Sequence, residues 1–265
     1  MKRTWYILLL LLICICTIIL FRAYHYYAPP QLREPYKVSN HNIHDDTICI
    51  AFIGDSWAYL HKSHNCKLPE IIKNSKHCPV SVHSFGICGL TSKEIYEQMF
   101  DNSEFRQFIQ ERKYDYCFVS AGINDTYKKM STRYYKKSME GIIEILLSNN
   151  IHPIILEIPD YNIIKAYENQ KTDKKLLRQL SMYINNVSLD CKQDFRDVLE
   201  ELVQDNKHKN KFDILRYKAW NKKYKKDLRV LYIHDGIHLN EHGYDVLDSI
   251  IAKEILKCKY IDIDL

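Results

Sequence analysis

From Thr47 onward, short runs rich in Ile and Val alternate with stretches of helical spacing. This alternation constrains the fold more than any other feature of the chain. The runs cover residues 48–53, 80–85, 116–121, 153–158 and 230–233. They are too short for core helices and mostly apolar at successive positions, as strands buried on both faces are. The segments between them are long enough to hold crossover helices. The pattern therefore predicts an α/β fold: a parallel sheet with helices on both faces, a three-layer α/β/α sandwich.

Helix signals agree. Thr91-Ser92-Lys93-Glu94 is a capping box, in which hydroxyl and carboxylate each satisfy a free backbone N–H. It opens a helix expected to end near Arg112. Residues 131–149 and 173–204 carry helical spacing, and Asn240 is placed to cap a last helix that runs to Lys257. At 265 residues one domain can bury a full core, and 46% hydrophobic with 27% charged residues excludes a disordered chain.

The N-terminus differs. Residues 5–21 form an apolar run interrupted only by Thr17, behind Lys2 and Arg3 and ahead of Arg22. At ~1.5 Å per residue the run covers about 25 Å as a helix, the lower limit for crossing a bilayer. A cleaved signal peptide is the rival, but residues 22–27 offer no small-x-small cleavage site, and an uncleaved anchor is favoured. Tyr24, Tyr26 and Tyr27 suit the membrane interface. The division expected is an anchor over residues 1–27, a Pro-containing linker over 28–46 and a catalytic domain over 47–265. The positive N-terminus favours a domain outside the cytoplasm, periplasmic in a two-membrane envelope, although Arg22, Arg33 and Lys37 blur the charge asymmetry.

Nine cysteines are present, two of them in the apolar run. The remaining seven are odd in number and scattered, with no C-x-x-C, and read as neither a disulfide framework nor a zinc ribbon. Cys66 and Cys78 are the one pair placed to bridge in an oxidising compartment. Residues 205–229 hold ten Lys or Arg against three Asp, with Tyr217, Trp220 and Tyr224 on one helical face. The plain reading is an amphipathic helix with a solvated basic face; the sharper one is contact with anionic lipid or an acidic glycan. A net charge of +5 is too small to argue for nucleic acid, and none is expected as a partner.

The chemistry lies in the glycines. There are seven, about 3% of the chain against a typical ~7%, so each should sit where the backbone demands it. Five fall in four short blocks and Gly243 follows shortly after the last; each block is at or after the end of an expected strand, the sheet edge on which ligands bind in open parallel folds. The first block is Gly54-Asp55-Ser56-Trp57. Its serine stands at a strand-to-helix turn, although Ala58 rules out the G-x-S-x-G elbow. The second runs from Ser84 to Thr91 and contains Gly86 and Gly89. The third is Gly122-Ile123-Asn124-Asp125, whose asparagine can donate a side-chain N–H to an oxyanion or merely cap its loop. The fourth is Asp235-Gly236-Ile237-His238, in which a carboxylate three residues before an imidazole can fix its tautomer. A metal at this loop is the rival reading. No further His, Asp or Glu with ligand spacing surrounds the pair, and neither metal nor organic cofactor is expected.

Any one block is weak; the four in this order are specific. Together they resemble the GDSL, or SGNH, hydrolase family, over roughly residues 48–257. The resemblance implies a flavodoxin-like sheet and a serine esterase without cofactor. It implies Ser56 as nucleophile, His238 as general base and Asp235 as the residue that orients it. The oxyanion hole would comprise the Ser56 and Gly89 N–H groups with Asn124; Gly86 stays open as an alternative to Gly89, because Leu90 stands where family members often carry Asp. Trp57 replaces the usual leucine and would narrow the pocket. The substrate expected is a small-molecule, glycan or lipid ester, with an O-acetyl carbohydrate at the cell envelope preferred. The alternatives are a lipase or lysophospholipase, an O-acyltransferase using the same acyl-enzyme and, in a different class, a non-catalytic glycan-binding module.

Overall fold

The computed structural model describes residues 2–37, 47–76, 79–110, 113–216 and 230–257. Five strands, β1 (Ile48–Gly54), β2 (Val80–Gly86), β3 (Tyr116–Ser120), β4 (His152–Leu156) and β5 (Asp213–Leu215), form one sheet in the order β2-β1-β3-β4-β5. Every pairing is parallel, so the α/β expectation holds. This is the flavodoxin-like order, in which the chain leaves β1 toward one edge and returns to β3 on its other side.

The sequence explains the layers. β1 and β3 are buried along almost their whole length because helices cover both faces, and apolar residues therefore occupy consecutive positions. β2 is only half-buried throughout, as an edge strand. Next to β1 and β2 lie α2 (Ser56–His61) and α3 (Leu68–Lys76), and α3 packs against the last helix, α11 (Glu241–Lys257). Another group comprises α4 (Ser92–Asp101), α5 (Ser103–Gln110), α7 (Thr132–Ser148) and α10 (Lys192–Gln204), with α7 central and in contact with β4. Short α6 (Ile123–Lys128) and α8 (Ile163–Glu168) follow β3 and β4, and α9 (Thr172–Asn185) crosses outside α6. Fully buried Ile50, Phe118, Ile154, Ile142 and Ile251 belong to one core; cutting such an isoleucine to alanine costs about 2–5 kcal/mol.

Three expectations are corrected. The run at 230–233 is not a strand: only Leu231 and Tyr232 are buried, and Tyr232 makes an isolated antiparallel bridge with Leu239. The fifth strand is Asp213–Leu215 instead, too short to stand out within a lysine-rich stretch. The helix expected to reach Arg112 breaks at Asn102, whose side chain accepts the Glu104 and Phe105 amides and starts α5. The helix expected over 173–204 divides where Asn186 turns left-handed, giving α9 and α10. The capping box at Thr91 and the Asn240 cap are formed as expected, and the structure adds a Ser131 cap at the start of α7. The aromatic face at 217, 220 and 224 and the pairing of Cys66 with Cys78 lie outside the described residues.

At the N-terminus, α1 (Lys2–Tyr27) is longer than the apolar run alone. Over Trp5–Tyr27 it is long and apolar enough to cross a membrane, with mean hydropathy 2.7 and no part buried in the protein. Such a helix suits an anchor or a signal sequence. Residues 28–37 have no regular structure yet run along the domain: Arg33 pairs with Asp101 at 2.5 Å, and the Asn149 side chain donates to the Tyr36 carbonyl.

Candidate active site

The ends of β2, β1 and β3 are flush, with Gly54 opposite Gly86 on one side and Ser120 on the other. The first three glycine blocks therefore meet at one point of the sheet edge. The Asp55 amide donates to the Ser120 carbonyl at 3.1 Å, and the Ser120 hydroxyl donates to Asp55 Oδ1 at 2.8 Å. The same oxygen accepts the Trp57 amide and so caps α2, leaving Ser56 as its first residue.

The two second-block glycines serve different ends. A Cβ on Gly86 would stand 2.2 Å from the Tyr59 nitrogen and 2.5 Å from the Asp55 carbonyl oxygen, so this glycine lets β2 approach α2 closely. Gly89 is left-handed (φ +81°), and a Cβ there would meet nothing within 4 Å. Its peptide is thus on an open surface, where an N–H can reach a ligand. The second and third blocks are cross-linked. Asn124 Nδ2 donates to the Leu90 carbonyl at 3.0 Å, while buried Asp125 accepts the Ser92 amide at 2.8 Å and hydroxyl at 2.6 Å.

The fourth block arrives from a loop 182 residues away in sequence. His238 Nε2 lies 2.9 Å from Ser56 Oγ, and His238 Nδ1 lies 2.6 Å from Asp235 Oδ2. An ionised carboxylate only accepts, so the proton sits on Nδ1, which donates to Asp235, and Nε2 accepts from the Ser56 hydroxyl. Asp235 is itself held: its Oδ1 accepts the Ile237 and His238 amides at 2.8 and 3.0 Å. Partial burial pushes the Asp235 carboxyl up, but these bonds and the His238 contact outweigh it and leave it below its ordinary range. Asp235 stays ionised wherever the imidazole can act as a base.

Trp57 does not narrow the pocket. It is fully buried, and its indole N–H donates to the Ile237 carbonyl at 3.1 Å, tying α2 to the Asp235–His238 loop. The Tyr244 hydroxyl donates to the Trp57 carbonyl from α11. Two further carboxyls are buried in these blocks, Asp55 at the serine turn and Asp125 against Ser92. Burial raises Asp55 to about 6 against the Trp57 and Ser120 hydrogen bonds, and raises Asp125 to about 7 against those from Ser92. The bracing contributed by Trp57, Ser120 and Asp125 escapes sequence reading because each acts through a partner distant in sequence; Asp125, an acid directly after the strand-end Gly122-Ile123-Asn124, is the only one with a local signal.

This arrangement can do acyl transfer: a hydroxyl on a base, the base on a fixed carboxylate, and N–H donors on neighbouring turns. The profile of the GDSL-like Lipase/Acylhydrolase family matches residues 52–246, most of the domain. An N-acylneuraminate cytidylyltransferase from Escherichia coli O18:K1:H7 is 27% identical over 186 residues, covering 67% of this chain. The match takes in 36% of that protein, so the chain spans about a third of the relative's length. Among solved structures, an acetyl xylan esterase superposes with a TM-score of 0.55 at 18% identity, over 78% of this chain and all of its own. A GDSL-like lipase from Bacteroides thetaiotaomicron superposes with a TM-score of 0.52 at 17% identity, over 79% and 88% of the two chains. These two likenesses carry the fold, and the profile carries the family. The chain belongs to the GDSL-like lipase/acylhydrolase family.

Proposed function

We propose that this protein is a membrane-anchored serine esterase that removes O-acetyl groups from carbohydrate at the cell envelope, through an acyl-enzyme. The observation that carries the serine mechanism is the continuous relay Ser56 Oγ–His238 Nε2, 2.9 Å, and His238 Nδ1–Asp235 Oδ2, 2.6 Å. Ser56 Oγ attacks the acyl carbon as His238 Nε2 takes its proton. The oxyanion receives hydrogen bonds from the Ser56 and Gly89 N–H groups and from Asn124 Nδ2. Collapse expels the alcohol, which leaves with the proton from His238. Water, deprotonated by His238, then attacks the acyl-enzyme and releases the acid and Ser56.

The sugar reading is supported by the company the chain keeps: a relative named for an N-acylated sugar acid and a fold neighbour named for acetylated xylan. Retention of the anchor is supported by contacts at its end. Lys93 Nζ donates to the His25 and Ala28 carbonyls at 2.6 and 3.0 Å, and the Tyr27 and Ser181 hydroxyls meet at 2.5 Å. Cleavage after α1 would remove most of these. Lys2 and Arg3 ahead of the apolar run support a domain outside the cytoplasm.

Lipid-ester hydrolysis is the second reading, favoured by α9. Leu176, Leu177, Leu180, Tyr183 and Ile184 are exposed on this helix, beside Ser181 where α1 joins the domain. Such a stripe next to a spanning helix suits the bilayer surface, and α9 packs on α6, which carries Asn124. Hydrolysis by the detergent-solubilised full chain, on acetylated xylo-oligosaccharide, O-acetylated N-acylneuraminate and 4-nitrophenyl esters of increasing chain length, separates the two. A cut-off at short acyl groups with turnover of acetylated sugar supports the proposal; activity that rises with chain length replaces it with the lipid reading.

A further inference from the structure

The far end of α2 holds a second cluster that the esterase chemistry does not use. His61, His64 and Cys66 follow one another at spacings of three and two, and they face Asp245 and Asp248, one turn apart on α11. Donor atoms of His61, Cys66 and Asp248 all lie within 4.8 Å of one another. His61 Nε2 is 2.8 Å from Asp248 Oδ1, and its Nδ1 is 2.8 Å from Ser84 Oγ. Asp248 Oδ2 accepts the Lys67 amide at 2.8 Å.

A buried His61–Asp248 ion pair would account for those contacts, but not for His64. Its side chain is 93% buried (7% exposed), and its Nε2 points into the cluster, 3.3 Å from Asp245 Oδ1 and 3.8 Å from Asp248 Oδ2. Neither His64 Nε2 nor Asp245 Oδ1 makes a well-formed hydrogen bond among the described residues. Two buried polar atoms left in this way are costly, and a cation between them would satisfy both. The ring is also fixed in place, stacked on Tyr244 at 5.3 Å.

We propose that His61, His64, Cys66 and Asp248 form a site for one divalent transition-metal ion of the zinc class, with Asp245 beside it as a hydrogen-bonding or alternative ligand. Imidazole, thiolate and carboxylate are the donors that zinc takes in fours, whereas calcium and magnesium take oxygen alone. One thiolate and one carboxylate neutralise the charge of the ion in a buried setting. The Ser84 hydroxyl accepts His61 Nδ1–H and so directs Nε2 to the metal, the outer contact typical of ligating histidines. Asp248 ligates through Oδ2, the oxygen nearer His64, and His61 Nε2 and Asp248 Oδ1 move apart to admit the ion. A cleft of about 750 Å³ lined by Ser63, His64, Lys67, Tyr244 and Asp245 gives access from solvent.

The role is structural. α2 begins at Ser56 and ends at His61, and α11 follows directly on the His238 loop, so the ion ties together the two elements that carry the esterase groups. Tyr244 links both regions, stacking on His64 and donating to the Trp57 carbonyl.

Cobalt(II) titration of the chelator-stripped full chain in detergent tests this directly. The expected result is one cobalt per chain with the visible absorption of a tetrahedral ion and a near-ultraviolet thiolate-to-cobalt band, displaced by zinc, and a melting temperature that rises with zinc. Cys66→Ser should remove the thiolate band, and His64→Ala should weaken zinc binding by more than the roughly 10–100-fold that loss of an outer-shell partner brings. His64→Ala also loses the Tyr244 stacking, so the readout is the zinc-induced rise in melting temperature, measured against each variant's own metal-free value, which should shrink in His64→Ala. Absence of the cobalt spectrum in the folded wild type overturns the proposal. So does zinc binding that survives in Cys66→Ser/His64→Ala, or binding abolished by His238→Ala, which would place the ion at the esterase loop.

Discussion

Replacing Asn124 with alanine separates catalysis from architecture at one position. Its amide nitrogen carries two hydrogens, and one of them is committed to the Leu90 carbonyl at 3.0 Å. The other has no hydrogen bond among the described residues and can serve the oxyanion. Losing the Leu90 bond should cost about 1 kcal/mol of stability. In a domain of this size that corresponds to roughly 2–4 °C in melting temperature. Losing a donor to the charge that develops at the carbonyl should lower kcat by about 10²–10³, or ~3–4 kcal/mol. KM should change much less, since the contact strengthens mainly in the transition state. Asn124→Asp is the companion variant: it keeps the shape, turns donors into acceptors, and should reduce kcat at least as far. The assay is hydrolysis of a 4-nitrophenyl acetate series and calorimetric melting on the same preparation. A few degrees of lost stability with near-normal turnover would reduce Asn124 to a loop cap. A stable and fully active variant would refute both effects.

Three further outcomes are expected. His238→Ala should lower hydrolysis by several orders of magnitude, because Ser56 then has no base to take its proton; near-normal turnover in that variant would remove the base from the scheme. Asp55 titrates at about 6 when folded, above its ordinary value of ~3.9, so the native state holds its proton more tightly than the unfolded chain. Its contribution to stability is present at low pH and is lost as pH rises from about 4 to 6; Asp55→Asn should therefore gain on the wild type across that window, by up to about 3 kcal/mol, in denaturant titrations. A reporter fused to the C-terminus should register outside the cytoplasm in a membrane fraction; a cytoplasmic signal would invert the topology and end the envelope assignment.

The sequence shows what depends on local pattern. β1, β3 and β4 are legible because strands buried on both faces are dense in apolar residues, half-buried β2 through its alternating Val80 and Val82, and the Thr91 and Asn240 caps because capping chemistry is local. The β5 segment was hidden by its length of three residues, while residues 230–233 imitated a strand with four apolar side chains of which two are buried. Periodicity also could not see the breaks: Asn102 alone separates α4 from α5, and the six residues from Asn186 to Cys191 between α9 and α10 carry no Gly or Pro to mark a stop. In the site, Ser56, Asp235 and His238 stood out through their glycine-marked loops, and the fold brings them within hydrogen-bond distance. Trp57 was misread because its neighbours come from residues 232 and 237, and the His61–Asp248 pair joins positions 187 apart.

Labelling with a fluorophosphonate tests the nucleophile most directly, because the probe forms a stable adduct only with an activated serine. The full-length chain is treated, digested and mapped by peptide mass spectrometry, beside Ser56→Ala and His238→Ala. The account expects one adduct, on the peptide that contains Ser56, absent from Ser56→Ala and strongly reduced in His238→Ala, with ester hydrolysis lost in parallel. An adduct on another serine, or hydrolysis that persists unchanged in Ser56→Ala, would contradict it.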